Sequence, residues 1–163
     1  MAEAQDVITV IIDQEAVFKF KDYYDFVYNM IKSRGFDIVE DEFVRKKNEV
    51  FIKWSCTRPI NPTISFLIKV EQRMTDMKSV KINIGGINEL MNKAHVNIVL
   101  RGVAVTLWEI KYRENEPKWK IIKGVLDKYF FKQTLDTKKG VLKEEVHFIE
   151  NEIKSFFDLR KFV

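Results

Sequence analysis

Apolar and polar residues alternate along the middle of this chain, from about Phe36 to Lys111. The alternation is clearest over residues 50–56 (VFIKWSC) and 64–74 (ISFLIKVEQRM). A period of two places successive side chains on opposite sides of a strand, so each run predicts a strand with one buried face. Helix-period segments lie on both sides of this region. The chain therefore predicts an α+β fold, with an antiparallel sheet of five to seven strands packed by helices.

Three helices are predicted, one before the sheet and two after it. Apolar residues recur at helical spacing from Phe20 to Ile31, and Gly35 stands where a left-handed C-cap is expected. One C-terminal helix carries an apolar stripe over residues 119–130, and the other runs from about Lys139 to Arg160. The last helix has a narrow apolar seam made by Leu142, Val146, Ile149, Ile153 and Phe156. This seam predicts packing on the sheet rather than on a second chain, because it spans fewer than three heptads.

The turns of the sheet have local signals. Gly85-Gly86 predicts a type I′ hairpin turn, because both positions accept positive φ. A tight turn is predicted at Thr75-Asp76, and a bulge or short turn at Asn92-Lys93. The segment 58–62 contains two prolines and predicts a break in the sheet.

Two runs are expected to be buried on both faces. The first is the β-branched run from Val7 to Ile12. The second is the strand from His95 to Lys111, which is apolar on both faces around Val103 and should be central in the sheet or line a cavity. Gly102 in this strand predicts a bend or a close backbone approach.

Composition limits the class of protein. The 163 residues are 46% hydrophobic and 13% aromatic, which predicts one domain, 1–163, with a substantial core. The single cysteine, Cys56, excludes an intramolecular disulfide and is expected to be buried. The acidic N-terminal residues are unlike a signal peptide, and no apolar run approaches the roughly 20 residues that cross a bilayer. We therefore expect a soluble, cytoplasmic protein.

The basic residues are unevenly distributed. The net charge is only +4, but residues 113–143 contain nine basic residues against four acidic ones, a local excess of +5. Either this segment is a solvated helical face or it binds an anionic partner. The candidate polyanion-binding residues are Lys118, Lys120, Lys123, Lys128, Lys132, Lys138 and Lys139.

No catalytic, metal or cofactor motif is found. One cysteine and two histidines do not make a tetrahedral zinc site, and His95 and His147 lie in different elements. The sequence has no nucleophile elbow, and no lysine follows Gly85-Gly86 as in a phosphate loop. The acidic residues at 37 and 40–42 divide between two faces of a strand, so we read them as solvated charge. No cofactor is expected.

One stretch resembles a known group of proteins. Met74-Thr-Asp-Met77-Lys-Ser-Val80, Met91-Asn-Lys93 and Val96-Asn-Ile98 are similar to elements that recur in a family of small uncharacterised archaeal proteins. The resemblance implies a strand meander followed by C-terminal helices, and no activity. The order of elements also resembles the helix-grip fold, in which a C-terminal helix lies across a curved antiparallel sheet over an apolar cavity. That resemblance implies a cavity here, with Val99, Val103, Val105 and Trp54 as candidate lining residues.

Three functional hypotheses follow. The first is a non-enzymatic binding module that engages RNA, a ribonucleoprotein or another macromolecule through the basic C-terminal segment. The second is a helix-grip-like carrier or sensor of an apolar small molecule. The third is an enzyme whose site has no recognisable motif.

Overall fold

The computed structural model describes the backbone of residues 2–107 and 117–159, and the side chains of residues 3–106, 129 and 132–159. The described elements are β1 (Ala2–Phe18), α1 (Phe20–Ser33), β2 (Asp37–Arg45), β3 (Val50–Asn61), β4 (Ile64–Ile84), β5 (Ile87–Leu107) and α2 (Pro117–Asp158). The strands form one antiparallel sheet in the order β1-β5-β4-β3-β2. The predicted α+β class with an antiparallel sheet is confirmed. β5 is an inner strand, as the apolar run around Val103 predicts, but it is not buried on both faces, because Arg101 is exposed and Val99 and Val105 are only half-buried.

The number of C-terminal helices is corrected. One helix, α2, covers the region where two helices were predicted, and its 42 residues make it about 63 Å long. Gly124 and Gly140 are its weakest helix formers, each costing about 1 kcal/mol relative to alanine, and no proline follows Pro117 to stop the helix. The predicted stripe over residues 119–130 lies outside the described side chains except at the exposed Tyr129. In the described residues no helix is long and apolar enough to cross a membrane.

The upper limit of seven strands is also wrong, because two predicted interruptions lie within continuous strands. At Thr75-Asp76 the chain makes a bulge instead of a turn: the register shifts between Thr75 and Lys78, and Asp76 takes a φ of 53°. At Asn92-Lys93 β5 continues without a register shift. The predicted turn at Gly85-Gly86 is confirmed, with φ of 58° and 85°.

Two further expectations about strands change. β3 continues to Asn61 despite Pro59, where the register with β4 shifts. The turn to β4 then depends on the Asn61 side chain, whose Oδ1 accepts hydrogen bonds from the backbone N–H groups of Thr63 and Ile64. β1 is not buried on both faces, because it lies at the edge of the sheet with Ile11 61% exposed.

Both helices pack on one face of the sheet, which we call the covered face. The apolar seam of α2 is fully buried, which confirms its predicted packing. At Gly102 a Cβ atom would lie 3.0 Å from side-chain atoms of both Ile8 and Val146. The space at Gly102 is thus taken by side chains of β1 and α2 rather than by the close backbone approach that the glycine predicts, and α2 crosses the sheet at β5.

Aromatic side chains join the two helices under this face. The Tyr23 ring of α1 stacks on Phe157 of α2 at a centroid distance of 5.4 Å, and both contact Phe18. The Tyr23 hydroxyl donates a 2.5 Å hydrogen bond to Oε1 of the buried Gln72 in β4. Burial raises the pKa of Tyr23 well above its usual value. The covered face therefore has an aromatic core in which a polar contact links α1 to β4, while Nε2 of Gln72 has no hydrogen-bond partner among the described residues.

A second polar contact holds α2 in place. Arg34, just after α1, donates two 2.8 Å hydrogen bonds to the carboxylate of the buried Glu145. Arg58 of β3 lies 3.6 Å from the same carboxylate and donates to the Arg34 carbonyl oxygen. These contacts bind the end of α1, the sheet and α2 to one another, and we interpret them as structural.

Candidate functional site

The opposite face of the sheet, which we call the open face, carries the best candidate site. Gly102 and Trp54 point to the helices, so the residues beside them in the strands point to the open face. On β3, β4 and β5, over residues 51–57, 65–75 and 95–105, this face has four cations and one acid. The cations are Lys53, Lys69, Arg73 and Arg101, and the acid is Glu71. Most of these side chains are half-buried or exposed, so the centre of the open face is basic and accessible.

Lys69 and Arg101 are the most informative pair on this face. They are direct cross-strand partners in β4 and β5, which places their Cβ atoms about 5 Å apart. Like charges in this position destabilise a sheet. Neither side chain makes an ion pair or hydrogen bond with any residue that the structure describes. Two adjacent cations without a carboxylate between them are suited to binding an anion. The described part of the protein provides no anionic partner for Lys69 or Arg101.

An aromatic residue lies next to the cations. Phe51 of β3 is half-buried, and the Arg73 guanidinium lies 5.2 Å from the centroid of its ring. Lys53 and Glu71 are also cross-strand neighbours, with Nζ and Oε1 4.0 Å apart. The single central acid thus has a lysine partner, which leaves Arg73, Lys69 and Arg101 as the cations not neutralised by a described carboxylate.

A pocket of about 360 Å³ lies where β4 bends on this face. Its wall includes Phe51 and Arg73 together with Thr75, which immediately precedes the bulge of β4. Bulges bend a strand and redirect its side chains, and this pocket lies beside the bulge of β4. The volume is near the lower end of the range of about 300–1,000 Å³ found for ligand pockets.

His95 and Asp13 form a polar pair at the edge of the pocket. Nε2 of His95 lies 2.5 Å from Oδ1 of Asp13 in β1. With Nε2 engaged by the carboxylate, Nδ1 of a neutral imidazole is left as an acceptor. The pair fixes the orientation of one wall residue of the pocket. No serine or cysteine of the described residues makes a hydrogen bond to either member, so the geometry does not indicate nucleophilic catalysis.

Metal and thiol chemistry find no support in the described part of the chain. No group of three or more His, Cys, Asp or Glu residues there converges on a point. The acids of β2 have separate contacts: Glu40 accepts hydrogen bonds from Tyr24 and Trp54, and Asp41 accepts one from Ser55. Cys56 is buried as predicted, and desolvation raises the pKa of its thiol to about 12.

The structure places the predicted polyanion-binding lysines in α2 but describes only some of them. The side chains of Lys118, Lys120, Lys123 and Lys128 lie outside the described residues. Lys132 is exposed, whereas Lys138 and Lys139 are half-buried. Lys139 also lies 4.0 Å from Asp136 one turn away.

The predicted cavity residues do not line one chamber. Trp54 is fully buried on the covered face, where its ring contacts Tyr24 and Tyr28 of α1. Val99 lies on the open face and forms part of the 360 Å³ pocket. Val103 and Val105 follow Val99 along the same face of β5, and Val103 is buried there.

The cationic centre of the open face was missed in the sequence analysis. Each of its cations occupies a polar position of an alternating strand, where a charged residue is expected and attracts no notice. Only the strand register brings Lys69 beside Arg101 and Phe51 beside Arg73. The signal in the sequence was the coincidence of four cations at such positions in three neighbouring strands.

Comparison of the chain with protein-family models, with curated proteins and with solved structures gave no match. A function is therefore argued from the geometry of the open face alone.

Proposed function

We propose that this protein is a non-enzymatic module that binds single-stranded nucleic acid, RNA in the first instance, across the open face of its sheet. The observation that carries the proposal is the adjacent pair Lys69 and Arg101, which has no carboxylate partner in the described protein. Phosphate groups supply the missing negative charge, and releasing their counterions provides affinity.

The shape of the surface favours a single strand over a duplex. Single-strand binders combine a cationic groove with aromatic side chains on which bases stack. The open face offers both, because Phe51 and Arg73 lie two rows of the sheet from the cation pair, about 14 Å along β4 from Lys69 to Arg73. The acids at the rim, such as Asp13 in β1 and Glu42 in β2, confine a polyanion to the three inner strands.

The proposal keeps the class of partner that the sequence predicts and changes its location. The basic C-terminal segment, with the exposed Lys132 and the half-buried Lys138, is not part of this surface and supplies the control for it. The small-molecule hypothesis has no comparable support, because its candidate lining residues divide between the two faces of the sheet.

The experiment measures the affinity for a short fluorescent single-stranded RNA over a range of salt concentrations. The parent protein should lose affinity steeply between about 50 and 200 mM salt. The double variant Lys69→Glu/Arg101→Glu should bind about tenfold more weakly or worse, with a salt slope lower by about 1.4, because single strands contribute about 0.7 per phosphate contact. The variant keeps a like-charge pair at this position, so its thermal stability should stay close to that of the parent.

A matched control carries the same change of charge on α2. Lys132→Glu/Lys138→Glu should keep its affinity within about twofold of the parent. Loss of binding in this control but not in the open-face variant would overturn the proposal and locate the docking surface in the C-terminal segment. Absence of salt-sensitive binding by the parent would remove nucleic acid as the partner.

A further inference from the structure

The pocket beside the cation pair has features that phosphate binding does not explain. It lies two residues or more from Arg101 along β5, since Val99 and Asn97 belong to its wall. Its wall combines the carboxylate of Glu71 and the guanidinium of Arg73 with uncharged polar side chains, which suits a neutral polar group better than a phosphate. A different part of the ligand must therefore fill this pocket if a nucleic acid lies on the open face.

Two planar groups give the pocket a stacking platform. The Phe51 ring is half-buried, so its position is fixed by the sheet, and the Arg73 guanidinium stays close to it at 5.2 Å. Aromatic rings and guanidinium planes are the surfaces on which proteins stack unpaired bases. Stacking is worth about 1–3 kcal/mol per base in single-strand binders.

The other walls provide both hydrogen-bond donors and acceptors. Asn97 offers an amide N–H₂ and a carbonyl oxygen, Thr75 offers a hydroxyl, and Glu71 only accepts. His95 is held by Asp13 and adds a ring nitrogen. A purely apolar ligand would leave the half-buried Asn97 amide and Thr75 hydroxyl unpaired, at a cost. The edge of a nucleobase carries donors and acceptors side by side and matches such a wall.

We infer that this pocket takes one unstacked nucleobase of the strand whose phosphates contact Lys69 and Arg101. The inference rests on the proposed function and adds to it the part of the ligand that is recognised and the side chains that recognise it. Phe51 and Arg73 stack on the base, while Asn97, Thr75 and Glu71 meet its edge. Val99, in the wall of the pocket, lies about 7 Å from Arg101 along β5. The base and the phosphate therefore belong to the same short stretch of the nucleic acid.

The test compares a short RNA with an abasic strand of the same length and phosphate number. The parent should bind the RNA about tenfold or more tightly than the abasic strand. Phe51→Ala should abolish this preference, and Phe51→Tyr, which keeps the ring, should retain it. Thermal melting of both variants identifies any loss of fold. The abasic strand serves as an internal check, because Phe51→Ala should bind it with the same affinity as the parent.

A second variant separates recognition of the base edge from stacking. Asn97→Ala should change the ratio of affinities for adenine and uracil homopolymers by about fivefold or more, whereas a purely structural role for Asn97 would lower both affinities equally. Equal, salt-sensitive binding of the RNA and the abasic strand by the parent would overturn the base pocket and leave the proposed function standing. Failure of the parent to bind either strand would overturn both.

Discussion

The two faces of the sheet differ in whether their charged side chains have partners within the protein. On the covered face the polar groups of Glu145 and Gln72 are buried and hydrogen-bonded to a side chain of another element. On the open face Lys69 and Arg101 are placed side by side with no described partner. The buried carboxylate of Glu145 is thus paired within the protein, although the Nε2 atoms of Gln14 and Gln72 find no hydrogen-bond partner among the described residues. The like charges of the open face lack such a pairing and are arranged at some cost to stability.

This difference between the two faces separates residues that stabilise the fold from residues that bind a ligand. Residues of the covered face should affect stability when they are changed, whereas residues of the open face should affect binding and leave stability the same or higher. Natural proteins often carry destabilising features where they bind, because the ligand and not the fold requires them. Each prediction below tests one side of this contrast.

The largest effect is expected from Ile149→Asp in α2. Ile149 is fully buried in the seam against the sheet, so the carboxylate would lose water without gaining a partner, at a cost of about 4 kcal/mol. His147, two residues earlier, has a side chain 54% exposed, and His147→Ala should cost about 0.5 kcal/mol or less. Urea unfolding of both variants measures these costs. Similar losses in the two variants would mean that α2 packs by a different face.

A smaller loss is expected when the carboxylate that binds two arginines is removed. Glu145→Ala leaves Arg34 and Arg58 without their shared partner. Because the Arg34 side chain is 38% exposed and regains some water, we expect about 2 kcal/mol rather than the 3–5 kcal/mol of fully buried pairs. Glu144→Ala, at the exposed neighbouring position, is the control and should be nearly neutral. A neutral Glu145→Ala would show that this contact does not hold α2 to the sheet.

The covered face should also weaken at high pH. The pKa of Cys56 rises from 9.0 to about 12 on folding because its thiolate would be desolvated. Above pH 9 the unfolded chain releases a proton that the folded protein retains, so the free energy of unfolding falls as pH rises toward 12. Each such group contributes at most about 1.4 kcal/mol per pH unit. Cys56→Ala should therefore show a shallower fall between pH 9 and 11 in urea titrations, and an unchanged slope would contradict the assignment.

The sequence predicted the covered face better than the open one. The helical spacing of the α2 seam and the period of two in β3 and β4 identify buried positions without knowledge of the partner elements. The open face depends on register, which sets Lys69 opposite Arg101 and Phe51 opposite Arg73. Local sequence does not specify this register, because Thr75-Asp76 predicts a tight turn that would end β4, whereas the chain forms a bulge there and β4 continues.

The smallest effect tests the difference between the two faces most directly, because one substitution should raise stability and weaken binding. Lys69→Glu converts a like-charge cross-strand pair into an opposite-charge pair with Arg101, which should raise the free energy of unfolding by about 0.2–1 kcal/mol. The same change should weaken binding of single-stranded RNA and lower its salt slope by about 0.7. Lys81→Glu, at an exposed position of β4 beyond the bulge where the cross-strand partner is Leu90, makes the same change of net charge without removing a like-charge pair and should change neither property appreciably. Urea unfolding and RNA titration of the two variants measure both quantities.

A gain in stability together with a loss of affinity is expected only if the like-charge pair is maintained for a ligand. A loss of stability in Lys69→Glu would instead indicate that Lys69 supports the fold, and the open face would then lose its distinction from the covered one.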